Sequence, residues 1–142
     1  MTFFAIVGNW CRKENKKEEN QVNIIKAEEK IALWLGEIVE MPEKVFRGAL
    51  PHGVNEGFEV RLVSGIPAGL NRVNEFTLEI KGFSPDRRSL WEWFDRIFAA
   101  LPIESGQGLL YADVKGEVHF SLHEKGALQV FCGRVELAVS FV

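Results

Sequence analysis

The sequence predicts an α+β domain in which one mostly antiparallel β-sheet packs against two main helices on one face. Two segments have apolar residues three and four positions apart, which is typical of amphipathic helices, and several others alternate apolar and polar residues, which is typical of half-buried strands. The order is helix, two or three strands, helix and then three strands. Because the strands occur in runs, an α+β class is favoured. The length of 142 residues and the charged share of 26% are ordinary for one globular domain.

The first 20 residues are predicted to form an arm and a charged linker, followed by a single α+β domain over residues 21–142. Phe3–Val7 is apolar and could be a short strand or a loose arm. Residues 12–20 read RKENKKEEN, and this mixture of signs indicates a solvated linker or a helix start. The apolar run lacks the basic flank and the length of a signal peptide, and no stretch approaches the ~20 apolar residues of a membrane span. We therefore expect no membrane partner.

The first helix is predicted from Gln21 onwards, with an end at Met41-Pro42 because proline disfavours helical geometry in the residue before it. Its apolar stripe consists of Ile24, Ala27, Ile31, Trp34, Leu35 and Ile38. Strands are predicted at Val45–Leu50, Phe58–Val63 and Phe76–Ile80. Ser64–Asn74, which contains two Gly and one Pro, is predicted to be a loop.

The second helix follows a Ser-Pro turn. Ser84 is predicted to be the N-cap and Pro85 the first helical residue, and Asp86 complements the positive end of the helix dipole. The apolar stripe is formed by Leu90, Phe94, Ile97, Phe98 and Leu101, and Pro102 marks the end. Trp91 joins the edge of this stripe, whereas Trp93 points a quarter turn or more away from its centre. Trp93 either folds over the sheet edge or is an exposed aromatic anchor at an interface.

The last third of the chain is predicted to be β-structure, with strands at Leu109–Val114 and Val118–Leu122 and a three-residue hairpin loop at Glu124–Gly126. The final run changes the parity of its alternation. Leu128, Val130 and Cys132 are apolar at even positions, and Val135, Leu137, Val139 and Phe141 are apolar at odd ones. Because Gly133 stands at the change, we predict a β-bulge there.

No motif for catalysis, metal binding or a cofactor is apparent, so we predict a protein that is not an enzyme and has no cofactor. His119 and His123 would lie ~13 Å apart on a strand, too far to share a metal ion. Gly106-Gln107-Gly108 lacks the third glycine and the following helix of a phosphate loop. Cys11 and Cys132 form no CxxC pair, and we expect both to stay reduced. The net charge of −3 argues against a general nucleic-acid binder.

Two segments are candidates for contacts between subunits. Arg87 and Arg88 place two cations in the first turn of a helix, against its dipole. They are either solvated or paired with nearby carboxylates, or they contact another subunit or a phosphate. Within the predicted loop Ser64–Asn74, the candidate residues are Gly69, Leu70, Asn71 and Arg72, because long ordered loops in compact domains are often functional.

The arrangement of elements resembles the tail terminator proteins of long-tailed phages, also known as minor capsid or tail-completion proteins. A helix is followed by a strand that ends in a Leu-Pro turn (Gly48-Ala49-Leu50-Pro51) and by a strand at Phe58–Ser64. A further strand then leads through a short polar turn into an amphipathic helix (Phe76–Leu101), and a β-rich tail closes the chain. The resemblance covers residues 22–142 and is one of arrangement, without a catalytic motif. The charged section before Gln21 departs from it.

This resemblance implies a tail-terminator-like fold and a structural role in phage or prophage virion assembly. Such proteins form a homo-oligomeric ring, typically a hexamer, that caps the tail tube and joins it to the head. The implied partners are other copies of the chain, the tail tube protein and the head–tail connector, and DNA passes through the lumen without being read. The implied location is the virion tail, or the cytoplasm of the bacterial host.

Three alternatives remain open. The chain could be another connector of the head–tail neck. It could be a small ligand-binding or regulatory α+β domain in which the aromatic helix forms the wall of a pocket. An enzyme with a site assembled only in space is the third.

Overall fold

The computed structural model describes residues 25–66, 73–106, 108–125 and 128–142. Over these residues the chain forms one mixed, curled β-sheet with helices packed on it, so the predicted α+β class is confirmed. The predicted arm and linker, residues 1–20, lie outside the described residues. The same holds for four of the candidate contact residues, Gly69, Leu70, Asn71 and Arg72.

The first helix, α1, covers residues 25–39 and is followed by a short 3-10 helix at Pro42–Lys44. The second helix, α2, covers Arg87–Ala99. The strands are β1 (Val45–Arg47), β2 (Gly57–Ile66), β3 (Asn74–Ser84), β4 (Ile103–Gly106), β5 (Leu109–Lys125) and β6 (Leu128–Phe141). Their order in the sheet is β1-β2-β3-β6-β5-β4, so β3 and β6 are central.

The sheet is mixed because β1 runs parallel to β2, whereas all the other described pairs are antiparallel. Residues 48–56 carry the chain back to the end of the sheet from which β1 started. Gly48 and Gly53 have φ values of 95° and 85°, which favour glycine and permit the reversals in this connection. The expectation of a mostly antiparallel sheet therefore missed one parallel edge strand.

Both helices bury their apolar stripes in one cluster with one face of the sheet, which we call the inner face. In α1, the predicted core residues Ala27, Ile31, Trp34 and Leu35 are buried, and Ile38 is half-buried. The sixth predicted residue, Ile24, lies outside the described residues. In α2, Leu90, Phe94 and Ile97 are buried as the spacing predicts, and the helix ends at Ala99, shortly before Pro102.

The entry to α2 differs from the prediction in one respect: Asp86 is the N-cap, and Ser84 is not. The Asp86 carboxylate accepts hydrogen bonds from the Arg88 backbone N–H at 3.1 Å and from the Ser89 hydroxyl at 2.8 Å. Ser84 is the last residue of β3, and its hydroxyl accepts a bond from the Asp86 N–H at 3.0 Å. The helix thus begins two residues later, because the aspartate can reach the free N–H groups of the first turn.

A pair of glycines lets α2 lie close to the sheet. Gly82 of β3 and Gly133 of β6 are register partners. A Cβ atom at Gly82 would lie 3.1 Å from Cε2 of Phe94, and one at Gly133 would lie 2.8 Å from Cζ of Phe94. Both distances are shorter than any ordinary carbon contact, so the Phe94 ring rests directly on the backbone of these two strands.

The predicted β-bulge at Gly133 is wrong. The register between β3 and β6 runs without interruption from Asn74↔Phe141 to Ser84↔Phe131. The parity changes because this end of the sheet is covered on both faces. On the second face, which we call the outer face, Leu50, Phe83, Val130 and Cys132 form a separate buried cluster. The register shifts lie elsewhere, between Leu62 and Ser64 in β2 and between Lys115 and His119 in β5.

The C-terminal β-structure is more extensive than the sequence indicated. β5 is one long strand that combines the two predicted segments, and β4, which was not predicted, pairs with its beginning. Glu124 and Lys125, which we expected in the hairpin loop, belong to β5 and pair with Gln129 and Leu128. The third predicted loop residue, Gly126, lies outside the described residues.

Candidate protein-interaction surface

Three large apolar side chains lie together and half-exposed on the inner face, beside the N-terminal half of α2. Trp91 is 48% exposed, Phe120 is 50% exposed and Leu122 is 53% exposed. The rings of Trp91 and Phe120 meet edge to face, with centroids 6.4 Å apart. Phe120 also contacts the buried ring of Phe94 at 5.6 Å, which fixes its position. We call Trp91, Phe120 and Leu122 the aromatic patch.

Arg87 completes this surface, whereas Arg88 does not. The Arg87 guanidinium carbon lies 4.7 Å from the centroid of the Trp91 ring, which is a cation–π contact. Arg88 instead forms an ion pair with Glu92, one turn further along α2, at 3.3 Å. The two arginines that the sequence analysis treated together therefore have different environments. Arg87 extends the aromatic patch with a cation, and Arg88 has the carboxylate partner that was one of its predicted alternatives.

Of the two alternatives for Trp93, the exposed aromatic anchor is wrong, since Trp93 is only 8% exposed. Its ring contacts Phe58 of β2 at a centroid distance of 5.4 Å, inside the main core. Trp91 is the exposed tryptophan. As a result, Trp93 offers little area to another subunit, and a subunit contact through it stays an untested prediction.

A long strand edge lies directly beside the aromatic patch. β4 pairs with β5 only as far as Ala112. Among the described residues, no strand pairs with β5 beyond Ala112 on the side away from β6. The Val114 N–H has a local acceptor in the Asp113 carboxylate, at 2.8 Å. Further along, the edge at Val118–Lys125 carries two of the three patch residues, Phe120 and Leu122.

At the opposite edge of the sheet, a short strand and the side chain of Glu28 leave little room for another strand to pair. β1 has only three residues. Beyond it, the Leu62 N–H of β2 donates to the Glu28 carboxylate of α1 at 2.9 Å. These features are the usual means by which proteins prevent an edge strand from pairing with another chain. The two edges of the sheet are therefore unlike.

The outer face carries a charged cluster around a buried carboxylate. The side chain of Glu79 is 5% exposed and forms ion pairs with Arg61 at 3.0 Å, with Lys81 at 3.6 Å and with Arg134. Burial alone would raise the pKa of Glu79. The hydrogen bond from Arg134 and the charges of Lys81, Arg134 and Arg61 together outweigh burial and lower it. Glu79 is thus held in its ionised form inside the polar face.

Next to this cluster, the outer face has a depression of about 550 Å³. Its polar lining includes Ser64, Thr77, Tyr111 and Lys115. The Lys115 ammonium donates to the Thr77 hydroxyl at 3.3 Å, and the Tyr111 hydroxyl donates to the Asp113 carboxylate at 3.1 Å. The hydrogen bond to Asp113 raises the pKa of Tyr111, so this phenol stays protonated and neutral near pH 7.

His119, His123 and Cys132 lie on the neighbouring strands β5 and β6. His119 and His123 both belong to β5, and the His123 ring shares a hydrogen bond of 2.8 Å with Ser121. Cys132 is buried, and burial raises the pKa of its thiol, which keeps it in the unreactive protonated form. Cys11 lies outside the described residues. No set of three or more metal-binding side chains occurs in the described part of the chain.

No protein-family model matches the sequence, and no curated protein matches it. Within the described residues, no helix is both long enough and apolar enough to cross a membrane.

Proposed function

We propose that this chain is a structural protein of phage or prophage assembly, and specifically a tail terminator that forms a ring on the tail tube and joins the tail to the head. One observation carries the proposal: the aromatic patch with Arg87 stacked on it. Trp, Phe and Arg are enriched at protein–protein interfaces, where a few such side chains account for most of the binding energy.

The size of the patch supports a protein partner. Complete burial of a large apolar side chain is worth about 1.5–3 kcal/mol, so each half-exposed residue of the patch retains about 1 kcal/mol for an interface. Two of the three side chains are rings that contact each other or the core, and ordering them on binding costs little entropy. In a ring, this patch would meet a different patch on the next subunit, because cyclic contacts are heterologous.

The order of the elements agrees with the arrangement expected of a tail terminator. From α1 to β6, the chain runs helix, three strands, helix and three strands. This is the arrangement on which the resemblance to tail terminators rests, and on it we infer a tail-terminator-like fold. The additional strand β4 and the parallel pairing of β1 enlarge the sheet at its two edges without changing that order.

The charges fit a lumen through which DNA passes without being held. The net charge is −3, and retention of DNA requires neutralisation of phosphates by Lys and Arg. On the outer face, Arg61, Lys81 and Arg134 lie around Glu79, so their charges are partly compensated. In this proposal, DNA and the sheet have no sequence-specific contact.

The test is the growth of tail tubes. Purified tail tube protein from the same phage or prophage is allowed to polymerise with and without this chain, and tube lengths and ends are measured by negative-stain electron microscopy. We expect a ring at one end of each tube and an arrest of growth. Trp91→Ala should weaken capping, whereas Leu33→Ala, which truncates another exposed residue on α1, should not. Tubes that grow equally well with and without the protein would refute the proposal.

A head–tail connector is the closest alternative, and the same images distinguish it. A connector would bind the portal side of the neck and leave tube growth unchanged. The depression on the outer face favours a second class of function, a ligand-binding or regulatory domain, because its volume of about 550 Å³ lies within the usual range of ligand sites. A thermal-shift screen with metabolites, using Thr77→Val and Tyr111→Phe as pocket variants, tests that alternative.

A further inference from the structure

The two unlike edges of the sheet decide how the sheets of two copies can join. A head-to-tail continuation would need an open edge on each side of the molecule. On the β1 side, the strand is short, and the next N–H along β2, that of Leu62, already donates to Glu28. On the β5 side, no strand among the described residues pairs with Val118–Lys125 on the side away from β6. For strand pairing between two copies, only an isologous contact remains, in which the same sheet edge meets itself.

We propose that two copies of this chain associate through the β5 edge, with the two Val118–Lys125 segments paired antiparallel about a two-fold axis near Ser121. The result is one continuous sheet across two molecules, with the helices of both on the same side. The occupant of the edge is thus a second copy. The inference does not depend on the proposed function, because it concerns the isolated chain.

The segment is complementary to itself in this arrangement. In an antiparallel pair with its two-fold axis at Ser121, residues at equal distances on either side of Ser121 face each other. Phe120 of one copy therefore lies opposite Leu122 of the second copy, on the same face of the sheet. Apolar pairs of this kind are the units that stabilise neighbouring strands. The partly exposed ring of Trp91, which contacts Phe120, lies beside this pair. The contact therefore covers the aromatic patch of both molecules.

The charges are also compatible with self-pairing. With histidine neutral, no residue from Val118 to Leu122 carries a formal charge. The segment Val118–Lys125 carries Glu124 and Lys125 at its C-terminal end, and Glu117 precedes it. Antiparallel pairing about Ser121 sets Glu117 of each copy opposite Lys125 of the other and Glu124 opposite Val118, whereas in-register parallel pairing would set each charge opposite its own copy. The segment has no proline, and its charges are confined to its last two residues.

The first test measures mass by light scattering after size exclusion, from micromolar to millimolar full-length protein. We expect a dimer with a concentration-dependent monomer fraction. Leu122→Lys places a charge at the centre of the edge and should raise the dimer dissociation constant by about a hundredfold or more. Leu33→Lys is the matched control, since Leu33 is 70% exposed on α1, and it should leave the dimer unchanged. A monomer at all concentrations, or a dimer that survives Leu122→Lys, would overturn the inference.

The second test reports on the register. Residues that face each other at the axis have Cα atoms about 4.5–5.5 Å apart, which is within the reach of a disulfide. Ser121→Cys should therefore cross-link two copies under mild oxidation. Because Cys132 is the register partner of Ser121 on β6, the experiment requires a Cys132→Ala and Cys11→Ser background. Ser64→Cys on the closed edge should stay uncross-linked. Absence of a Ser121→Cys dimer, or equal cross-linking of both variants, would contradict the two-fold contact.

The outcomes separate this inference from the proposed function. A monomer that still caps tail tubes would refute the two-fold contact and leave the terminator proposal in place. A dimer without any effect on tubes would do the reverse. If both proposals hold, the dimer covers the patch that the ring uses, and adding tail tube protein should convert dimers into rings.

Discussion

Replacing Gly133 with alanine tests the idea that a glycine pair sets the distance between α2 and the sheet. The new Cβ would lie 2.8 Å from Cζ of Phe94 and 3.0 Å from Cε1 of Phe120. Carbon atoms in good contact are about 3.5–4.0 Å apart, so the Phe94 ring has to move by about 0.7 Å or more. The ring is 1% exposed and packs against Phe58 and Phe98, and it has no free space to move into.

The expected loss follows from these contacts. Overpacking a tight core costs about 1–3 kcal/mol. Replacing glycine with alanine returns about 0.4–1 kcal/mol through the lower entropy of the unfolded chain. We therefore expect Gly133→Ala to lower the free energy of unfolding by about 1–2 kcal/mol, which corresponds to about 3–8 °C in Tm for a domain of this size.

The assay is urea denaturation followed by tryptophan fluorescence, together with thermal melting. Gly106→Ala is the matched control, because its Cβ would meet nothing closer than 3.6 Å, and it should be neutral or slightly stabilising. Phe94→Leu combined with Gly133→Ala should show a favourable coupling of about 0.5–3 kcal/mol, since the smaller side chain relieves the clash. If Gly133→Ala is as stable as Gly106→Ala, the ring does not rest on the glycine backbone as described.

Three further predictions concern other parts of the structure. Glu79→Gln should lower the free energy of unfolding by about 1–2 kcal/mol at pH 7, less than the loss of a fully buried ion pair, because the cationic partners of Glu79 are partly solvated. The folded pKa of Glu79 lies below the unfolded value of about 4.5, so the difference in stability should be complete above that pH. It should vanish as the pH falls through the folded pKa, which acid-denaturation curves of both proteins would measure. Trp93→Ala should cost about 3–5 kcal/mol in urea denaturation, whereas Trp91→Ala should cost about 1 kcal/mol or less, and equal losses would contradict their assigned burial. Asp86→Ala should lower Tm by several degrees and Asp86→Asn by much less, because asparagine can still accept the Arg88 N–H bond.

The two tryptophans of α2 show what helical periodicity can and cannot predict. At about 100° per residue, Trp91 and Trp93 lie on opposite flanks of the predicted stripe, at nearly equal angles from its centre. The structure places Phe98 only partly in the core, so the true centre of the buried face is rotated towards Trp93. The stripe itself was predictable from spacing. The choice between its two flanks depends on Phe58, a residue of β2 that contacts Trp93 across the core.

The C-terminal strand shows a second limit. Its change of parity was read correctly from the sequence, but the bulge that we inferred assumes that a strand buries only one face. Leu50, from the connection after β1, closes the other face over Cys132. Its backbone N–H is held by the Glu59 carboxylate at 2.7 Å. A contact between segments more than 80 residues apart leaves no local signal. The parallel pairing of β1 with β2 likewise left no signal in the alternation of either strand.

The candidate surface was predictable in part. The sequence pointed to the aromatic helix and to Arg87, and the structure adds Phe120 and Leu122, which read as ordinary members of an alternating strand. Their exposure arises because β4 ends before reaching them, and strand length and pairing partner are properties of the whole sheet. A signal was nonetheless present: the polar positions between the apolar residues of this strand are Ser and His, without Lys, Arg, Asp or Glu.

The end of the sheet that is covered on both faces has a consequence for the motions of the chain. Around Gly82 and Cys132, a single layer of backbone lies between two hydrophobic clusters, so its amide hydrogens should exchange with solvent only when the whole sheet opens. In the monomer, the amides of Phe120 and Leu122 at the neighbouring β5 edge should exchange through local fraying. Two segments that adjoin in space would then differ by orders of magnitude in protection. Among the described residues, slowly exchanging amides would then lie next to a strand edge whose amides exchange fast.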